Sequence, residues 1–408
     1  MLLEIILSLL LGILAGTFTG LFPGIHINLV GAALVSLSVS LLAKINPIFL
    51  GVFIISMAIT HGFLDFIPSI FLGCPDTDIV LSVLPGHELL KQGKGCEAIA
   101  LTAYGGLMAI FMIILITIPA IFGMKSLYGI LKIPYIMSAI LIIVSFLLIF
   151  SEKKKFNALL VFALTGILGL CVLNLPALSE HQPLLPLLSG LFGASSLIIS
   201  IKNKVEIPKQ EISVPKLKEV FPYLKKSFLG TLIASTLCGF LPGLGSGEAA
   251  VVGNQISRTE RKGFLVLIGA TNTLVMGLSF ISLYVISKTR TGAAVALNEI
   301  LGQFSFKFLI LFLVIILISG IVSFFLTLFL AKFFSNKISK INYQKISIAT
   351  LIILIAIVTV VSGWIGLLIL IISTFAGIYC IQLNVKRTNM MGCLLVPTIV
   401  IYLGKIFP

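Results

Sequence analysis

Apolar runs long enough to cross a bilayer follow one another along most of this chain, and nothing else in it narrows the fold so far. Inside hydrocarbon every backbone N–H and C=O must be satisfied within the protein, so a spanning segment is a helix or a strand of a closed barrel. Barrel strands read as short alternating segments. Here the apolar runs do not alternate; they cover residues 2–18, 27–43, 47–60, 97–122, 133–150, 156–173 and 184–201, then 264–286, 304–333, 346–361, 365–383 and 391–403. The chain is 59% hydrophobic and 10% charged, with mean hydropathy +1.20, whereas a soluble domain carries about 25% charged residues. The expected fold is an all-α polytopic membrane protein. One span needs about 20 apolar residues, so the 408 residues allow roughly ten to twelve transmembrane helices.

Two Pro-Gly breaks interrupt this pattern. They are Leu21-Phe22-Pro23-Gly24-Ile25-His26-Ile27-Asn28 and, half a chain later, Leu241-Pro242-Gly243-Leu244-Gly245-Ser246-Gly247-Glu248. Each follows a small-residue spacing, Gly16-x3-Gly20 in one and Ser235-x3-Gly239 in the other. Proline removes a backbone donor, and irregular backbone at membrane depth survives only where it lines a cavity or is buried in protein. Paired breaks in corresponding places mark transporter binding sites built from inverted repeats. The expected organisation is a first repeat at 1–201, a cytoplasmic basic linker at 202–226 and a second repeat at 227–408, each with a broken or re-entrant helix. The linker holds seven lysines against three acids, Glu206, Glu211 and Glu219. Two spans separate it from Lys153-Lys154-Lys155, so both basic clusters fall on one side. The net charge of +14 is accounted for by such loops, as cytoplasmic segments accumulate Lys and Arg.

Local patterns add detail. Gly12, Gly16 and Gly20 share one helix face and predict a close helix neighbour. The 304–333 run exceeds what a bilayer requires and predicts tilt or an internal break. Ser362-Gly363-Trp364 predicts the tip of a hairpin, with the one tryptophan at the membrane interface. The apolar N-terminal stretch runs straight into the first break and reads as a retained span rather than a signal peptide.

The chemistry available at the breaks is that of anion binding. A helix opening at Gly24 to Asn28, or at Gly243 to Gly247, presents unpaired N–H groups and the positive end of its dipole. Candidate substrate-binding residues are Gly20, Pro23, Gly24, His26 and Asn28 in the first half, and Gly239, Pro242, Gly243, Gly245, Ser246, Gly247, Asn254 and Asn272 in the second. Thr271 is a further polar neighbour. Acids inside apolar sequence are costly and usually functional, which makes Asp65, Asp76, Thr77, Asp78 and Glu248 candidates for coupling to Na⁺ or H⁺; Asp76 and Asp78 also suit a helix cap after Pro75. His26 and His61 can titrate or serve as hydrogen-bonded structural residues. The six cysteines show no metal or disulfide spacing. Gly243 to Gly247 lacks the Lys-Ser/Thr of a phosphate-binding loop, and no nucleophile–base pair is legible. The chain therefore reads as a carrier without cofactor, neither an enzyme nor a nucleic-acid binder.

These motifs carry a family resemblance. Gly16-x3-Gly20-x2-Pro23-Gly24 and Gly239-x2-Pro242-Gly243-x-Gly245 resemble the paired signatures of the large membrane subunit of tripartite tricarboxylate transporters. Leu72-Gly73-Cys74-Pro75-Asp76-Thr77 and Pro85-Gly86-His87-Glu88-Leu89-Leu90-Lys91-Gln92-Gly93-Lys94-Gly95 resemble that family's following segments. The resemblance implies secondary transport of carboxylates on a proton or sodium gradient, with a small membrane subunit and an extracytoplasmic binding protein as partners. The chain is shorter than that subunit, His26 and Asn28 stand where the family more often has small residues, and Glu248 is an added charge. A divergent branch that works alone fits these departures. Families that flip polyprenyl-phosphate carriers also use paired Pro-Gly-rich breaks.

The functional expectation is thus a permease of small organic anions such as di- or tricarboxylates in the cell membrane, working by alternating access around the two breaks, as a monomer or homo-oligomer. The alternative is a polyprenyl-phosphate translocase. A membrane enzyme acting on lipid is the third reading, and it lacks a catalytic constellation.

Overall fold

The architecture comes from a computed structural model that describes residues 2–22, 45–72, 81–131, 133–150, 152–176, 183–202, 208–240, 245–338 and 343–405. The helices in order are α1 (Leu2–Leu21), α2 (Pro47–Leu64), α3 (Phe66–Leu72), α4 (Val83–Lys91), α5 (Gly95–Leu131), α6 (Pro134–Phe150) and α7 (Lys155–Leu173). Then come α8 (Leu184–Leu188), a π turn (Ser189–Ala194), α9 (Ser195–Lys202), α10 (Leu217–Phe240), α11 (Ser246–Ser257), α12 (Arg261–Ile286), α13 (Gly292–Leu301), α14 (Phe306–Ile338), α15 (Tyr343–Gln382), a 3₁₀ turn (Arg387–Met391) and α16 (Gly392–Gly404). Among the described residues, eight helical stretches are long and apolar enough to cross a membrane, and three shorter apolar helices accompany them. The protein is a multi-pass helical membrane protein, as the hydropathy requires.

Lipid offers no hydrophobic drive between helices, so close backbone packing through small residues holds the bundle. Gly12, Gly16 and Gly20 of α1 all face α2. A methyl on Gly12 would lie 2.6 Å from the Phe53 carbonyl, one on Gly16 2.8 Å from Thr60 Cβ, and one on Gly20 2.9 Å from the His61 carbonyl. The contacts advance together along both helices, so α1 and α2 run parallel. The same device joins α5 to α12, where Gly105 and Gly106 meet Ala270 and Thr273, and Gly277 meets Ile113; these two helices are also parallel. Antiparallel to α5 lies α14, with Tyr104 against Phe324 and Gly320 against Ile110. α14 in turn runs parallel to α2, pairing Gly51 with Phe312 and Thr60 with Ser323. Hence α1 and α2 point opposite to α5 and α12. The outward faces of α5 and α14 are apolar, with Leu115, Phe122, Phe325 and Phe329 exposed to lipid.

One end of the bundle gathers the basic loops. Glu211 N–H donates to the Gly93 carbonyl at 2.7 Å, the Gln210 side chain accepts from the Gly95 amide, and Lys386 N–H donates to the Glu152 carboxylate at 3.1 Å. Two ion pairs join α12 to the first half here, Arg261–Glu88 at 2.7 Å and Lys262–Glu97 at 2.5 Å. The exposed Arg261–Glu88 pair contributes only about 0–1 kcal/mol, so it sets register more than stability.

At the other end α15 reverses. Gly363 has φ 59° and ψ −157°, and a Cβ on Gly366 would stand 3.3 Å from Val358 Cγ1. Eight residues along a straight helix span about 12 Å, so the chain folds back as the hairpin the sequence predicts. Trp364 is 80% exposed at its tip. That φ/ψ region is essentially restricted to glycine. Gly363→Ala is therefore expected to cost about 1–3 kcal/mol, seen as a lower unfolding midpoint in detergent. The internal break allowed for residues 304–333 does not occur: α14 is a continuous helix of 33 residues, about 50 Å long, and accommodates its length by tilt or protrusion.

Candidate functional site

Several helix ends converge halfway through the bundle. α1 stops at Leu21 beside the last turn of α2, where His61 Nδ1 lies 3.1 Å from Thr19 Oγ1. α2 stops at Leu64, and Asp65, buried at 6% exposure, turns the chain into α3. Carbonyls in the last turn of a helix lack an intrahelical partner; the one on Gly62 accepts from Asn272 Nδ2 at 3.3 Å. Asn272 sits near the middle of α12, and its Oδ1 accepts from Ser246 Oγ at 3.1 Å. Ser246 is the first residue of α11, entered through extended Gly245 at φ −72° and ψ 172°. One amide side chain thus ties the end of a first-half helix to the start of a second-half helix. Asn272 and Ser246 are 9% and 2% exposed, and the amides of the first turn of α11 open at the same point. A helix N-terminus beside a hydroxyl and a carboxamide is a donor-rich setting for an anion.

A second feature lies two helical turns further along α12, about 10 Å away. The chain leaves α12 at Ser287 in a left-handed conformation, φ 51°. It then doubles back, for Ser282 Oγ donates to the Lys288 carbonyl and Ser279 Oγ accepts from the Arg290 and Thr291 amides at 3.0 and 3.1 Å. α13 starts from this depth with Thr291 as its cap, and its far end packs on Gly51 of α2. The re-entry carries two cations to the end of α10: Lys288 Nζ donates to the Phe240 carbonyl at 3.1 Å, and Arg290 Nε to the Cys238 carbonyl at 2.9 Å.

The basic end holds a cavity of ≈ 340 Å³ whose lining includes Glu88, Asn254, Arg261, Lys386 and Arg387. Beside it, Arg387 Nη1 donates to the Phe192 carbonyl in the π turn at 3.2 Å and to Ser196 Oγ. His87 of α4 is buried, and desolvation, with lesser repulsion from Lys91 and Arg387, pushes its pKa down to about 3 from 6.5. The folded state therefore keeps His87 neutral while the unfolded chain protonates it below pH 6.5. Stability is unaffected above that value and falls as pH drops from 6.5 toward 3, by up to about 1.4 kcal/mol per unit. His87→Gln is expected to flatten this acid limb in a melting-versus-pH series; an unchanged slope would contradict it.

The whole chain between residues 6 and 392 matches the family model described as the tripartite tricarboxylate transporter TctA family. The chain belongs to that family. It is also similar to "Uncharacterized protein MJ1079" of Methanocaldococcus jannaschii, 30% identical over 363 residues that cover 86% of this chain and 88% of the relative. No solved structure matches it. As a TctA-family member the chain is a component of a transport system.

The structure brings Gly20, Asp65, Gly245, Ser246, Gly247, Thr271 and Asn272 of this TctA-family chain to the same depth or within a turn of it. Among the described residues nothing lies within 4 Å of where a Cβ on Gly239 would stand. Asn254 is not part of this group. It lies at the opposite end of α11 and holds the turn into α12, its Oδ1 accepting from the Thr259 amide at 3.0 Å and from the Thr259 hydroxyl. Pro23, Gly24, His26, Asn28, Asp76, Thr77, Asp78, Pro242 and Gly243 lie outside the described residues, as does the side chain of Glu248. The sequence reading did not single out Lys288 or Arg290. Their signal was parity: α12 starts in the basic cluster and crosses, so these are cations at the end where the positive-inside bias disfavours them.

Proposed function

We propose that the protein is a secondary transporter that binds a small di- or tricarboxylate in the hollow between the α2–α3 junction and the start of α11. The observation that carries this reading is Asn272, which holds Gly62 of one half and Ser246 of the other in a single hydrogen-bonded chain. Inverted repeats place substrate at such an interface, with half-helix N-termini pointing at its anionic groups. The opposed directions of α1–α2 and of α10–α12 support two inverted repeats on either side of the linker. Alternating access then rocks one repeat against the other. The Arg261–Glu88 and Lys262–Glu97 pairs part when the basic end opens, and the cavity beneath them serves as the inner vestibule. Positive-inside bias assigns that end to the cytoplasm of the cell membrane. Asp65, buried at the junction, is the described acid best placed to couple a proton or Na⁺. A small membrane subunit and an extracytoplasmic binding protein are the expected partners, following the family's tripartite name.

The test is uptake of labelled citrate and succinate by proteoliposomes under imposed Na⁺ and pH gradients, with and without added partner subunits. Gradient-dependent uptake of either acid is expected. Absence of uptake, together with movement of a labelled polyprenyl phosphate between leaflets, would replace this reading with the lipid-carrier alternative.

A further inference from the structure

We infer that Lys288, assisted by Arg290, is the cationic contact for a carboxylate of the transported anion, on the side of the hollow away from the basic face. This rests on the transport reading and names the charge partner it requires. Three observations carry it. First, the re-entry onto Ser279 and Ser282 sets both cations inside the bundle rather than in an outer loop. A charge held at that depth is costly and marks a substrate or ion path by default. Second, the partners of Lys288 are the Phe240 carbonyl at 3.1 Å and the rings of Tyr128 and Phe240 at 4.6 and 5.8 Å. Among the described residues no carboxylate neutralises it. An ammonium has three N–H donors, and one carbonyl occupies one of them. Third, the cations cap α10, the helix that ends at the second break. Its C-terminal dipole supplies about half a negative charge, less than the one positive charge that Lys288 brings to it. Such a surplus selects a multiply charged carboxylate over a monoanion.

A purely structural cap makes a different prediction, and lysine chemistry separates the two. In the purified protein, acylation of Lys288 by a small water-soluble succinimidyl ester is followed by mass spectrometry, with exposed Lys209 as internal reference. Citrate, succinate, acetate and inorganic phosphate are the added probes. Citrate or succinate is expected to slow labelling of Lys288 at least about fivefold, with acetate much weaker and Lys209 unchanged. Lys288→Gln is expected to raise the KM for uptake about tenfold or more, the loss of one charge-assisted hydrogen bond, with Lys288→Arg retaining part of the affinity. Equal labelling with and without every probe, in protein that transports citrate or succinate, would overturn the inference and leave the transport reading standing. Protection without any uptake would leave this anion contact standing and overturn transport. Protection by phosphate alone would overturn the carboxylate assignment.

Discussion

Gly105→Leu is expected to abolish the folded protein. Gly105 lies where α5 and α12 touch backbone to backbone. Even a methyl there would stand 2.9 Å from the Ala270 nitrogen, and the reciprocal methyl on Gly269 2.8 Å from Thr102 Cα. Both neighbours are backbone, so no rotamer change relieves the clash. Overpacking a well-packed core costs about 1–3 kcal/mol where side chains can move, and more where only the helices themselves can separate. In lipid nothing compensates, because contact between the helices is itself the stabilising interaction. The variant is expected to fail as a monodisperse species on size-exclusion chromatography in detergent. Gly123→Leu on the same helix is the control. Nothing lies within 4 Å of a Cβ there, so it should purify and melt like the parent. A Gly105→Leu protein with parental melting would contradict the packing described for α5 and α12.

Asn272→Leu is the complementary case, with the fold retained and function lost. Leucine keeps the branched outline of asparagine but offers no polar group to Gly62 or Ser246. The Gly62 carbonyl then loses its side-chain donor, at a cost of about 1–3 kcal/mol. The start of α11 is no longer tied to the first half. Misplacing a binding group by about 1 Å can lower rates about 10²-fold, and uptake is expected to fall by at least that factor while the chromatographic profile persists. Asn254→Ala should behave differently. It loosens the α11–α12 turn through Thr259 and should retain uptake within several-fold. Equal loss in both variants would argue that Asn272 acts through general stability.

What the chain itself announced were features set by local chemistry. Gly12, Gly16 and Gly20 foretold a close helix contact, though not that α2 makes it, because a four-residue period places them on one face. Pro242 and Gly243 themselves lie outside the described residues; α11 begins at Ser246, just after them. Gly363 likewise signalled its reversal. Partners far apart in sequence were not legible. Asn272 looked like polar lining, but the carbonyl it serves lies 210 residues away, and hydropathy does not tell which helices are neighbours. Asn254 matched the same residue type near the same break and proved to be a turn residue, since its orientation depends on Thr259 and not on its own position. The length of the 304–333 run left tilt and an internal break both open, since length alone does not choose between them, and α14 stays whole.

The central claim is that the start of α11 faces a hydrated hollow reached in turn from both sides of the membrane. The direct measurement is the reactivity of Ser246→Cys, in a chain whose six native cysteines have been replaced, toward a small charged thiol reagent applied to either face of sealed vesicles. The lipid-facing Phe325→Cys serves as reference. Labelling from both faces, slowed by citrate or succinate, is the expected result. Labelling from neither face, at the rate of the lipid-facing reference, would contradict the account.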